Sequence, residues 1–117
     1  MICVHIERLN ELKKRLRQIR HYCTTYYIVE KLGQVRLIGI EKNCMLDLML
    51  DSATMGEGEI SPIYKIDTTL ALLKTGSRKD SLRIVIEEEQ TRFITHRPTK
   101  CTEIVYSGSY IPPVVMD

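Results

Sequence analysis

The residues best suited to chemistry in this chain are cations gathered on one short segment: Lys13, Lys14, Arg17 and Arg20, with Arg8 and Arg15 beside them. At about 100° per residue in a helix, Lys13, Arg17 and Arg20 share one arc, and Lys14 and His21 stand at its edge. Ammonium and guanidinium groups on a common arc suit phosphate, which they hold by charge and hydrogen bonds without reading a base. A solvated helix face gives the same pattern, so spacing alone keeps both readings open. The charge balance favours a local role. From His5 to Tyr22 there are six basic and two acidic residues, whereas the rest of the chain is mildly acidic, and the net charge is only +2.

Other reactive groups are dispersed. His5, His21 and His96 belong to different elements. Asp47 and Asp51 share a strand face but stand about 13 Å apart at strand rise, too far to hold one metal ion. Glu57 and Glu59 fall in a glycine-containing loop, and Glu87 to Glu89 end a strand. Neither a nucleophile elbow nor a phosphate-cradling glycine loop occurs. The four cysteines, Cys3, Cys23, Cys44 and Cys101, lack zinc-site spacing and are expected to be reduced thiols. Sequence leaves open which of them meet in space. The expectation is a protein without catalytic residues, metal or cofactor.

The elements that position these groups follow from hydrophobic period. Ile2, Val4 and Ile6 alternate as in a strand. Leu9, Leu12, Leu16, Ile19 and Cys23 recur at intervals of three and four, which predicts an amphipathic helix from Leu9 to about Tyr22. Tyr26 to Leu32 and Val35 to Glu41 predict a hairpin about Gly33-Gln34. In the strand Met45 to Asp51, Leu46, Leu48 and Leu50 share one side and Asp47, Met49 and Asp51 the other. Ser52 to Glu59 reads as a loop. Ile60 to Ile66 reads as an extended segment whose Pro62 calls for an edge or a bulge. Asp67 is the expected N-cap of a second helix, Thr68 to Thr75, closed by Gly76. Ser81 to Glu88, Thr91 to His96 and Thr102 to Ser107 complete the strands, and Pro98 breaks the second of these.

At 117 residues, 44% hydrophobic and 27% charged, the chain has the size and composition of one globular domain. No apolar run approaches the roughly 20 residues that span a bilayer, and the N-terminus lacks signal-peptide character. An intracellular protein is expected, nuclear in a nucleated cell and cytoplasmic otherwise. The order strand, helix, three strands occurs twice. It predicts an α+β fold of duplicated βαβββ units, with two helices on one face of curved antiparallel sheets.

Three stretches give this order a family likeness: Glu11-Leu12-Lys13-Lys14; Val35 to Glu41 followed by Cys44 to Leu50; and Tyr64 to Asp67 running into Leu70 to Lys74, then Asp80 to Ile84. Together they resemble one of the two domains of the DNA sliding clamp family, the proliferating cell nuclear antigen type, over Met1 to about Tyr106. The resemblance implies a clamp-like domain over residues 1–107 and a connector-like tail over 108–117, where Ile111-Pro112-Pro113 is similar to the family's interdomain connector. It implies a ring of six such domains, helices inward, around duplex DNA. Lys13, Lys14, Arg20 and Lys74 match basic residues of that inner surface, and Arg17 joins them on the helical arc. Subunits of the family pair edge strands head to tail. The matching edges carry Met45, Leu46 and Met49, and Ile104, Val105 and Tyr106. Ile40, Cys44 and Met45 match the lining of a pocket for client peptides such as those of a DNA polymerase, with Asp47 where an apolar residue is expected. The family's usual chain has two domains and this one stops after the first. The implied function is a non-catalytic processivity factor of single-domain type in DNA replication or repair, acting as a homo-oligomer. The alternatives are a regulatory protein that binds or caps a full-length clamp, and an excised first domain of a longer one.

Overall fold

The computed structural model describes residues 1–74 and 80–97, and the backbone of the strand Lys100–Tyr106. The element order is β1 (Ile2–Ile6), α1 (Leu9–Arg20), β2 (Thr25–Lys31), β3 (Gln34–Glu41), β4 (Cys44–Met49), β5 (Ala53–Thr54), β6 (Tyr64–Lys65), α2 (Ile66–Leu72), β7 (Ser81–Ile86), β8 (Thr91–Arg97) and β9 (Lys100–Tyr106). The fold is α+β, with two helices and two antiparallel sheets. One sheet runs β5-β1-β7-β8-β9 and the other β4-β3-β2-β6.

The strand order explains how the repeat holds together. β1 precedes α1 in the chain but pairs with β7, from Ile2 opposite Ile86 to Ile6 opposite Leu82. β6 precedes α2 but pairs with β2, Tyr64 opposite Tyr26. Each βαβββ unit therefore lends its first strand to the other unit's sheet. Neither half can complete its sheet alone, and one core serves both: Val4, Leu12 and Ile19 from the first half cluster with Ile66, Ile84 and Phe93 from the second. The pair Tyr26 and Tyr64 forms the join, with ring centroids 5.9 Å apart, and Tyr64 meets the edge of Phe93 at 6.4 Å. Both phenols are satisfied across the seam. The Tyr26 hydroxyl shares a hydrogen bond with Thr69 on α2 at 2.8 Å, and that of Tyr64 with Thr91 at 2.5 Å.

Most expected elements form within a residue or two of their predicted ends, with three departures. The segment Ser52 to Glu59 contains β5, which pairs with His5 and Ile6 at a sheet edge. Two residues carry too little period to be recognised in sequence. Asp67 is not an N-cap: α2 starts at Ile66, directly after β6, and Asp67 lies in its first turn. Burial of Ile66 and the bond from its N–H to the Thr24 carbonyl set that start. The helix also ends earlier than Thr75, which with Gly76, Pro98 and the tail from Ser107 lies outside the described residues.

Pro62 falls where its missing donor costs least, beside the edge strand β6. Ile60 bridges Val29, whereas Tyr64 faces Tyr26, so one extra residue is accommodated between them. The buried Ser61 repairs the ladder: its N–H donates to the Ile28 carbonyl, and its hydroxyl accepts from the Ile28 N–H, both at 2.8 Å. At the β2–β3 turn Leu32 and Gly33 both take positive φ, 53° and 81°. That is the mirror-image turn favoured by hairpin twist, with leucine where asparagine or glycine is usual. No described helix is long and apolar enough to cross a membrane.

Candidate nucleic-acid interface

α1 owes its position to its apolar stripe. Leu9, Leu12, Leu16 and Ile19 are fully buried, and the helix rests so close to β3 that a Cβ on Gly39 would lie 3.2 Å from the Ile19 Cδ1. Its first turn is fixed from both sides. The Leu9 N–H donates to the Asp80 carbonyl at 3.0 Å, and the Glu11 carboxylate accepts from the N–H and hydroxyl of Ser52, both at 2.9 Å. That turns Glu11 away from the open arc. The outward surface of α1 presents Asn10, Lys14, Arg17, Gln18, Arg20 and His21, all exposed, with no carboxylate of its own helix among them.

α2 packs beside α1, and Arg20 pairs with Asp67 at 3.0 Å across the two helices. This is the flank of α1 that carries Lys13, Arg17 and Arg20. The pair is well exposed on both sides and contributes about 0.2–1 kcal/mol at most. Its consequence is electrostatic: Asp67 offsets part of the cationic field at the second helix, where Lys74 is also exposed. Arg78 and Lys79 lie outside the described residues.

Lys13 departs from expectation. It is 7% exposed and belongs to the structure rather than to the open surface. It sits at the margin of the apolar stripe, on the side where Asp80 enters. Burial depresses its ammonium below the ordinary value, and the nearby Arg17 charge does so further, while Asp80 opposes both. Asp80 is itself buried and pairs with Arg97 Nε at 2.5 Å. Lys13, Asp80 and Arg97 thus form a charge cluster that anchors the start of α1 to the second half. The exposed members of the predicted set are Lys14, Arg17, Arg20 and Lys74.

The predicted edges are edges. β4 and β9 each terminate a sheet. On β4 Met45 is 65% exposed and Met49 is also exposed, while Leu46 turns inward toward the core. Ile104, Val105 and Tyr106 lie on β9 opposite Phe93, Arg92 and Thr91. The apolar trio Ile40, Cys44 and Met45 does not stay together. Ile40 and Met45 are cross-strand neighbours on the outer sheet face, but Cys44 faces the other way and packs on the core. Strand alternation required this, since Cys44 shares parity with Leu46 and Leu48. On that same outer face Asp47 accepts from Arg36 Nε at 2.7 Å, so a charged pair divides Met45 from Met49. Among the described residues, no three histidine, cysteine or acidic side chains gather as metal ligands.

Sequence reasoning did not identify Asp80 as a partner of Lys13. The available signal was the position of Lys13 at the stripe margin, where a lysine lies half toward the core. No protein-family model matches the sequence, and a search of curated proteins finds no match.

Proposed function

We propose that this chain is a non-catalytic DNA-clamp domain of sliding-clamp type, holding duplex DNA loosely along its helical face. The observation that carries the reading is the exposed arc of α1, where Lys14, Arg17 and Arg20 stand together without an acidic neighbour on their own helix. Such groups neutralise phosphate, give affinity that falls with salt, and permit sliding because they recognise no base. Lys74 extends the surface along α2. Lys13 adds to the field without reaching the phosphates.

The terminal strands β4 and β9 of the two described sheets would supply the means of assembly. Head-to-tail pairing of unlike edges is a heterologous contact, which closes into a ring when the rotation per subunit fits. A replication client such as a polymerase would dock on the outer face at Ile40 and Met45. A closed ring needs only weak contacts with DNA, because topology retains it. The test is retention on nicked circular duplex compared with the same duplex linearised, after light scattering has fixed the assembled mass as a multiple of 13.6 kDa. Retention on the circle and loss from the linear form is expected. A strict monomer, or equal loss from both, rejects autonomous ring formation.

The exposed Met45 and Met49 on an edge strand favour a second reading, in which the domain caps a full-length clamp through β4. A stable complex with a two-domain clamp, without self-assembly or retention on circular DNA, would select that reading.

A further inference from the structure

Two thiols meet beneath the helical face. Cys23 follows α1 and is tied to it by the bond from its N–H to the Ile19 carbonyl, 2.8 Å. Cys44 opens β4 opposite Glu41, its side chain on the core side. Gly39 leaves the space between helix and sheet: a Cβ there would lie 3.1 Å from the Cys23 sulfur. Cys44 packs against the same core cluster that holds Cys23, close enough for the two thiols to influence one another. Both are free thiols, Cys23 buried and Cys44 partly open to solvent at the sheet edge. Neither belongs to the phosphate-facing arc, and the separation of Cys44 from Ile40 and Met45 leaves it without a role in the outer face.

We propose that Cys23 and Cys44 are a disulfide-forming pair that exchanges with a small-molecule disulfide of the glutathione type, linking the end of α1 covalently to the edge strand β4. The accessible Cys44 thiolate attacks one sulfur of the small disulfide, forming a mixed disulfide and releasing one thiolate. The Cys23 thiolate then attacks the Cys44 sulfur and expels the second. Two protein thiols are oxidised, one small disulfide is reduced to two thiols, and the two protons lost by the cysteines end on those products. Burial pushes the Cys23 thiol up, with the neighbouring Cys44 and Glu41 acting in the same direction, while its fixed position beside Cys44 favours the second attack. The bond fixes the edge strand to the helix without touching Lys14 or Arg17.

The experiment uses the full chain carrying Cys3→Ser and Cys101→Ser, incubated with oxidised glutathione, quenched with acid and an alkylating agent, and read by mass spectrometry. A monomer lighter by two hydrogen atoms, with a Cys23–Cys44 linked peptide, is expected. Amide exchange in β4 should slow on oxidation. The glutathione adduct on Cys44 should resolve at least tenfold faster in the native chain than in the urea-unfolded one. A persistent native adduct, equal resolution in both states, or cross-linking between chains would overturn the pairing.

Discussion

The two halves of this molecule share an order of elements and divide its chemistry unequally. α1 runs twelve residues and carries an outward cationic arc, whereas α2 runs seven and carries the acidic Asp67 in its first turn. The strands beneath them differ in the same sense. β3 places Gly39 under α1 and lets the long helix sit close, while β8, its counterpart in the repeat, buries Phe93 completely. The first half gains a well-seated helix that projects charge. The second fills core volume and supplies Asp80, which holds that helix by its first turn. The two halves thus share an element order while differing as a presenting half and a supporting half.

The largest test of this division concerns packing. Phe93→Ala should cost about 3–5 kcal/mol by opening a cavity in the supporting half. Gly39→Val should cost about 1–3 kcal/mol by lifting α1 from its sheet. Urea denaturation measures both, and only the second should also lower phosphate binding by the folded chain. Equal effects on binding would show that the two halves present charge together.

Asp80 links the halves, so Asp80→Ala should remove about 3 kcal/mol, because it leaves Lys13 charged and buried without its acidic neighbour. Adding Lys13→Met to that variant should recover part of the loss in a double-mutant cycle, since the two residues act on each other. Additive losses would mean that the Asp80 carboxylate acts through Arg97 rather than through Lys13.

A smaller effect is expected at the β2–β3 turn. Leu32 is fully exposed and held at positive φ, so Leu32→Asn should stabilise the chain by about 1 kcal/mol. An unchanged or lowered urea midpoint would show that the leucine is packed in solution. The smallest effect is a pH dependence. The folded-state value of Lys13 lies below its ordinary 10.5, so the folded chain binds fewer protons than the unfolded chain in that alkaline interval. Stability contributed by this group therefore rises with pH across the interval, and Lys13→Met should lose that rise relative to wild type. Parallel pH profiles for the two proteins would contradict the burial of Lys13.

Much of this division is legible in the residues themselves. The spacing of Leu9, Leu12, Leu16 and Ile19 gives α1 and its buried face, the alternation from Leu46 to Leu50 gives the two sides of β4, and Pro62 marks an edge. What escaped was set by distant residues. The start of α2 depends on Ile66 finding a carbonyl at Thr24, and the burial of Lys13 depends on Asp80, far along the chain. β5 is a strand only because β1 offers it an edge. Cys44 is different: period-two alternation already placed it opposite to Met45, and the family likeness drew it to the wrong face.

The most direct measurement is the salt dependence of binding to a short duplex DNA, made on wild type, on Lys14→Glu with Arg17→Glu, and on Lys74→Glu. The log of affinity should fall linearly with the log of salt for wild type. Reversal of the two α1 charges should flatten that slope by about 0.9 for each phosphate that is no longer neutralised, with unchanged urea midpoints. The α2 variant should change it less. Identical slopes for wild type and the α1 variant would contradict the assignment of phosphate binding to the first half.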